Sequence, residues 1–482
     1  MEGYQIALLA IAVVIVILLV VIIIRTLLFK PNKKVEITND TIDFDSDKVI
    51  SNLQTLIKFK TVSNVNSSLE DENEFKGFVD VLPKLYPNVI KTCSLKKFNG
   101  RALLFKWEGK NHDKPSVMMS HYDVVPVNEE LWSVPCFDGL IKDGVMYGRG
   151  VIDTKVTFNA VMSSVDKLIN DGFIPNNDVY LAFSGGEEIN GEGARNIVNY
   201  FDENNIVPNL VVDEGGGVVE NVFPGVKAPC GVVGIAEKGM MIVEYVTNCN
   251  GGHASAPKPH TPIGKLSSAC TKIENNPFKM KLTEPVKQMF DTLGCHSSFL
   301  YRMIFANLWA FGWVIDLLGK KQGGDINALL RTTVAFTQME GSKAQNVIPA
   351  KAKMVSNIRL NPSDTVDSAL AYLKRTVNDS DIEITTILGV NPSRISTTDC
   401  DGYAKVESAI ANTWKGSIVS PYLMVQCSDS RHYGKISDKV YRFSACDLTK
   451  DERASIHGID EHLRLSAIIK SVEFYLRLLK QC

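Results

Sequence analysis

The chain has 482 residues, more than one compact core usually serves, so two soluble domains are the starting expectation. Its composition is that of an ordinary globular protein, 45% hydrophobic and 22% charged. A formal net charge of -2, with no Lys/Arg-rich arm and no zinc-finger spacing, excludes nucleic acid as the expected partner.

The first element, residues 6–24, is apolar throughout, with no charge, Pro or Gly. A membrane-crossing helix takes about 20 such residues. A signal peptide competes, but it needs a shorter apolar stretch and a small-residue cleavage site. Here Ile22-Ile23-Ile24 runs straight into Arg25, so residues 6–24 read as an uncleaved transmembrane anchor. Arg25, Lys30, Lys33 and Lys34 follow it and Glu2 precedes it, a charge flank that favours a cytosolic enzyme domain. Glycosylation sequons at Asn39, Asn66 and Asn378 point instead to a lumenal or extracellular face, though such triplets also arise by chance. Ten cysteines without a C-x-x-C pair permit disulfides but assign none.

Residues 29–47 form a polar linker. Beyond it, 116–120, 178–183 and 209–212 are short apolar runs ending in polar residues, and 158–169 carries apolar residues at helical spacing. This alternation predicts an α/β fold, a mostly parallel sheet with helices on both faces, with 48–235 as its first part. Near residue 235 the texture changes. Residues 240–246 and 350–361 alternate as strands do, and a polar loop, 248–260, follows the first. We expect 236–392 to be an inserted, smaller α+β lid domain and 393–482 to return to the first. Inside the insert lies an apolar helical stretch near 285–320, with Phe299, Tyr301, Phe305, Trp309, Phe311 and Trp313. Arg302, Asn307 and Asp316 argue against a second span. The plain expectation is a helical pair buried in the small domain. The sharper ones are an acyl-chain pocket or a surface that dips into a bilayer.

Five acidic or histidine motifs punctuate this frame: His121-Tyr122-Asp123, Asp153 in a Gly-rich turn, Glu187-Glu188, Asp213 and His457. His121 follows one strand directly, Glu187 follows another after a Ser-Gly-Gly turn and Asp213 ends a third, and ligands of open α/β sheets bind beyond the carboxyl ends of strands. A dinuclear zinc site needs a bridging carboxylate, a His and a carboxylate for each metal, and a free carboxylate to move protons. Two residues apart on an extended segment, Asp123 shares a face with His121 and can orient its imidazole. Asp153 is either a helix N-cap or the bridging carboxylate. Glu187-Glu188 is either a pair of solvated charges or a ligand, Glu188, beside a general base, Glu187.

These motifs resemble the dizinc exopeptidases and amidohydrolases of the aminoacylase and carboxypeptidase S family. Its pattern is H-x-D, G-R-G-x-x-D-x-K, E-E, D and a distant H. All are present in order, and the resemblance covers nearly everything after the linker. Further shared stretches, including Phe305-Ala306-Asn307-Leu308-Trp309 and Ser428-Asp429-Ser430-Arg431, point to its carboxypeptidase S and N-fatty-acyl-amino-acid hydrolase/synthase branch. The resemblance implies two zinc ions, one held by His121, Asp153 and Asp213, the other by Asp153, Glu188 and His457. Glu187 becomes the base and Asp123 the orienting acid. Gly251-Gly252-His253-Ala254-Ser255-Ala256-Pro257 resembles the family's lid loop, whose His stabilises the oxyanion, often across a homodimer. Asn346 matches another polar signature of the lid. Arg359 and Arg431 are candidates for a substrate carboxylate, with a structural ion pair the plain alternative for each. Gly186 and Thr154 depart from the pattern, where the family usually has acidic residues.

The expected activity is zinc-dependent hydrolysis of an amide beside a free carboxylate, in a short peptide or an N-acyl amino acid, and reversible when acid and amine are abundant. The different-class alternative is a catalytically inactive, membrane-anchored binding protein, which would lack a ligand or the base. The resemblance places the catalytic domain on the lumenal or extracellular side.

Overall fold

A computed structural model describes residues 3–31, 35–38 and 40–482. Glu2, Lys33 and Lys34 of the expected charge flank, and the sequon at Asn39, lie outside the described residues.

The strand Asn111–His121 pairs in parallel with Asn177–Ser184 on one side and Leu210–Asp213 on the other. Val440–Arg442 extends the parallel run beyond Leu210–Asp213. Antiparallel strands Ala102–Trp107 and Ser94–Phe98 finish one edge of this nine-stranded sheet. At the other, Cys230–Glu237 joins antiparallel to Val440–Arg442 and carries Ile418–Met424 in parallel. The central strands are apolar on both faces because helices cover both. Met118 packs into a core shared with the helices Lys155–Asn170 and Leu465–Leu479. Its neighbours Val117 and Met119 point the other way, toward Ile197, Val198 and Phe201 of Gly193–Glu203.

A second, four-stranded sheet is antiparallel, with Gly239–Asn248 between Lys351–Leu360 and Ile382–Val390, and Thr333–Glu340 outside. The helices Pro262–Asn275 and Val366–Val377 close its core. The segment after residue 393 supplies Val440–Arg442 to the middle of the large sheet.

The apolar stretch near 285–320 departs from expectation. Glu284–Gly294 packs on Ile418–Met424 and shares a core with Phe223, Val232 and Leu423, all attached to the large sheet. Phe299–Ala306 and Leu308–Gln322 follow at a bend of 110°. They are not a buried pair in the small domain, since Phe299, Leu300, Trp309, Trp313 and Leu317 are exposed. Residues apolar on every side of a helix do not reveal which side is inward.

Gly3–Leu28 is one helix, with a window of mean hydropathy 3.8 that is long enough to cross a membrane. All ten cysteines are free thiols. The sequon residues Asn66 and Asn378 are exposed.

Candidate metal centre

His121 ends its strand and is buried. Its Nδ1 donates to the backbone carbonyl of Asp123 at 3.0 Å. That bond fixes the tautomer and leaves Nε2 facing two carboxylates, Asp153 Oδ1 at 3.0 Å and Glu214 Oε2 at 3.4 Å. The expected orienting contact is therefore made mainly by the carbonyl of Asp123, whose carboxylate stands 3.5 Å from Nδ1. That carboxylate is otherwise engaged. It accepts the backbone N–H groups of Glu187 and Glu188, at 3.1 and 3.2 Å, and the Ser63 hydroxyl at 2.7 Å.

Asp153 lies in the turn before Lys155–Asn170, and that helix has Thr154 at its N-cap with no side-chain cap. The N-cap reading of Asp153 fails, because its two oxygens face two imidazoles instead. Oδ1 meets His121 Nε2 and Oδ2 meets His457 Nε2, each at 3.0 Å. The peptide bond after Asp153 is cis. Gly150, at φ +83°, admits no side chain, since a Cβ would stand 2.5 Å from Val124.

This turn is held by a residue that motif reading missed. Glu461, fully buried, accepts Arg149 Nη1 at 2.6 Å and the N–H groups of Gly150, Ile152 and Asp153. Removing one member of a buried ion pair typically costs about 3–5 kcal/mol, because the other charge stays behind in apolar surroundings. From the opposite side Lys155 Nζ donates to the carbonyls of Leu56 and Phe59.

Glu187–Ile189 is a single 3-10 turn. Glu188 Oε1 lies 3.2 Å from His457 Nε2. Donor atoms of His121, Asp153 and Glu188 lie within 4.8 Å of one another, as do those of His121, Glu187 and Glu214. Imidazoles and carboxylates at these separations fit a pair of divalent cations sharing Asp153. Glu214 was not foreseen. Asp213, the residue expected there, points into the fold, its Oδ2 taking the N–H of Ser430 at 2.9 Å. Beside it, buried Glu237 binds Ser428, Ser430 and Arg442. Adjacent residues at a strand end face opposite ways, and the sequence pattern pointed to Asp213 where the geometry turns Glu214 toward His121.

The electrostatics match a site built for added positive charge. Burial drives the Glu187 carboxyl well above its usual range, and the Glu214 carboxylate adds to the rise. Burial does the same to Glu214. Asp153 goes the other way, since His121 and His457 outweigh its burial and hold it well below the usual carboxylate range. His457 rises to about 10 through its bonds to Asp153 and Glu188. Burial lifts Asp429 to about 6 against a hydrogen bond from Ser184.

The remaining expected residues fall in two places. Arg431 reaches the turn after the glutamate pair, its Nη2 donating to Asn190 Oδ1 at 2.7 Å. Its Nε and Nη1 are buried, and among the described residues no ion pair to it is found. Arg359, on the strand Lys351–Leu360 of the four-stranded sheet, places Nη1 3.5 Å from the Cys427 thiol. His253 and Asn346 lie together where Gly252–His253 pairs with Val347–Ile348, the Asn346 carbonyl accepting the N–H of Ala254 at 2.9 Å. Both are exposed, and among the described residues neither bonds to the metal-site carboxylates.

Residues 117–481 match the model of peptidase family M20/M25/M40. A probable carboxypeptidase S-like 2 of Dictyostelium discoideum is 35% identical over 93% of this chain and 88% of its own length. The N-fatty-acyl-amino acid synthase/hydrolase PM20D1 of Xenopus tropicalis is 31% identical over 94% and 90%. Among solved structures, the M20 family metallo-carboxypeptidase Sso-CP2 from Sulfolobus solfataricus superposes with a TM-score of 0.66 at 17% identity, over 90% of this chain and 98% of that one.

Proposed function

The chain belongs to peptidase family M20/M25/M40, a family of metal-dependent hydrolases, and from that membership we propose that it cleaves an amide bond beside a free carboxylate using two zinc ions. The observation that carries this reading is the division of Asp153, one oxygen toward His121 and the other toward His457. His121 and Glu214 complete one metal position and Glu188 and His457 the other. When bound, such ions polarise the scissile carbonyl and lower the pKa of water to about 7.

The protein's own groups do the rest. Glu187 takes the proton of the attacking water and delivers it to the departing nitrogen. Its burial favours the protonated form, which suits the second of these steps. Asp123 holds Glu187 and Glu188 in place through their peptide N–H groups. Arg431, beside the turn after the glutamate pair, is the cation proposed for the substrate carboxylate, with Arg359 a second from the lid. His253 and Asn346 approach the oxyanion when the lid closes or when a second copy supplies them in a homodimer. The same residues serve condensation when acid and amine are abundant.

N-acyl amino acids are the favoured substrates over dipeptides, in keeping with the N-fatty-acyl-amino acid synthase/hydrolase relative and the apolar N-terminal helix, while the carboxypeptidase S-like relative keeps short peptides as the second class. We place Gly3–Leu28 across a membrane and the catalytic domain on its lumenal or extracellular side, where the exposed Asn66 and Asn378 sequons would be glycosylated. A panel of N-acyl amino acids and dipeptides, assayed with metal-depleted and zinc-restored protein, tests the assignment. Zinc-restored turnover of N-acyl amino acids is expected. Turnover unaffected by metal depletion, or no turnover of either class, overturns it.

A further inference from the structure

The two helices Phe299–Ala306 and Leu308–Gln322 have no role in the chemistry above, and their surface is unlike that of a water-facing helix. Along Leu308–Gln322 the outward positions Trp309, Trp313 and Leu317 recur every four residues and are 57%, 68% and 58% exposed. That stripe would carry polar side chains on a soluble surface. Phe299, Leu300 and Tyr301 add to the patch. The inward side is satisfied separately, with Phe305 and Ile315 buried in the core beside the large sheet. A contiguous apolar surface of this kind marks a contact.

Its position identifies what it touches. Arg25 donates through Nε and Nη2 to the carbonyl of Ala306, at 3.2 and 3.1 Å. Asn307, at the bend, donates to the Ile22 carbonyl at 3.2 Å and to the Thr26 hydroxyl at 3.3 Å. Ile22 and Thr26 are buried by this contact, whereas the apolar residues before them on Gly3–Leu28 are open on the outside of the molecule. The bend is therefore bonded to the last turns of the apolar helix, level with the point where its chain turns polar at Arg25. A bilayer that holds this helix would have its surface near this bend, from which the helix bearing the exposed tryptophans starts. A bend of 110° excludes a straight second span.

We propose that Phe299–Ala306 and Leu308–Gln322 form a wedge seated in the same bilayer as Gly3–Leu28, with Trp309, Trp313 and Leu317 among the lipid chains near the headgroups. The inference rests on Gly3–Leu28 being retained as a membrane helix. Residue types agree with that depth. Tryptophan favours the membrane–water boundary. Lys320 and Lys321, in the last turn of the wedge, are exposed and can reach the headgroups. Two attachments hold the enzyme body against the membrane at a fixed tilt, where one helix followed by a polar linker would leave it free to swing.

The test uses the full chain in phosphatidylcholine vesicles, with and without bromine on the lipid acyl chains. Two of the five tryptophans belong to the wedge. Brominated lipid is expected to quench part of the intrinsic fluorescence, and the double variant Trp309→Phe, Trp313→Phe is expected to lose that quenching while keeping its circular dichroism and hydrolytic activity. Equal quenching in the double variant, or none in the parent, overturns the wedge. A second copy covering the patch would give that second result together with a dimer. Alkaline carbonate extraction of the same vesicles reads the anchor separately. Released protein refutes a retained Gly3–Leu28 span, whereas retained protein without tryptophan quenching refutes the wedge alone.

Discussion

The carboxylate of Asp123 accepts the peptide N–H of Glu187 at 3.1 Å, so the proposed base is positioned by the residue that also orients His121 through its carbonyl. One short stretch thus sets the first metal ligand and the base together. Asp123→Asn replaces one acceptor oxygen with an N–H donor that opposes the peptide N–H groups of Glu187 and Glu188. Turnover is expected to fall by about 10- to 100-fold, the usual scale for a group that orients metal ligands. Steady-state kinetics with metal content measured alongside checks this. Activity at the parental level would leave Asp123 without a positioning role.

Glu187→Gln keeps the size and the peptide N–H bonds of the residue but cannot accept a proton. Zinc content is expected to stay at the parental value while kcat falls by about 10²- to 10⁴-fold. Elemental analysis together with kinetics separates a lost base from a lost metal. Normal turnover assigns the proton transfer elsewhere.

Asp213 and Glu214 make opposite predictions under the sequence pattern and under the geometry. Glu214 faces His121 at 3.4 Å, while Asp213 takes the N–H of Ser430. Glu214→Ala is expected to lower zinc stoichiometry toward one ion per chain. Asp213→Ala is expected to keep both ions and to show a reduced thermal midpoint. The reverse outcome restores Asp213 as the ligand.

Much of this arrangement was legible in the linear sequence. Parallel strands buried on both faces are continuous apolar runs, so His121 and the Glu187-Glu188 pair, which follow such runs, stood out as strand-end groups. Asp213 was assigned on the motif alone, and a step of one residue reverses the facing side, with no periodicity to fix the step where a strand stops. Glu461 was invisible for another reason. Its partner Arg149 and its three peptide donors lie in a distant turn, and no local pattern encodes such a pairing. The stretch near 285–320 was misplaced because hydrophobicity alone does not distinguish a buried helix from one open to the outside.

Arg431, held by Asn190, carries a planar guanidinium that a point charge cannot reproduce. Arg431→Lys is expected to raise KM for substrates with a free carboxylate by about 10-fold or more, since a charge-assisted fork is worth roughly 1.5–3 kcal/mol. Substrates amidated at that carboxylate are expected to show a much smaller change. An equal effect on both series would mean that Arg431 supports the fold rather than the substrate.

Lys238 supplies a pH signature away from the metals. Burial, with repulsion from Arg359, lowers it to about 7, while its Nζ donates to the carbonyls of Ala328 and Arg331. Between pH 7 and the unfolded value of 10.5 the unfolded chain binds the extra proton, so stability rises with pH across that window. The contribution is as much as about 1.4 kcal/mol per pH unit. Lys238→Met is expected to flatten the rise in thermal midpoint between pH 7 and 9. An unchanged slope would place the titration elsewhere.

The Arg149–Glu461 pair has a consequence for the order in which the protein is made. The segment bearing His457 and Glu461 is made about 300 residues after the turn that carries Asp153, with which it pairs. Until it arrives, Arg149 lacks its counter-ion, the turn lacks its acceptor and Asp153 lacks its second imidazole. Completion of the proposed two-metal site is thereby deferred until that segment has been made. A chain terminated before residue 457 would carry most of the ligands and still present no two-metal centre.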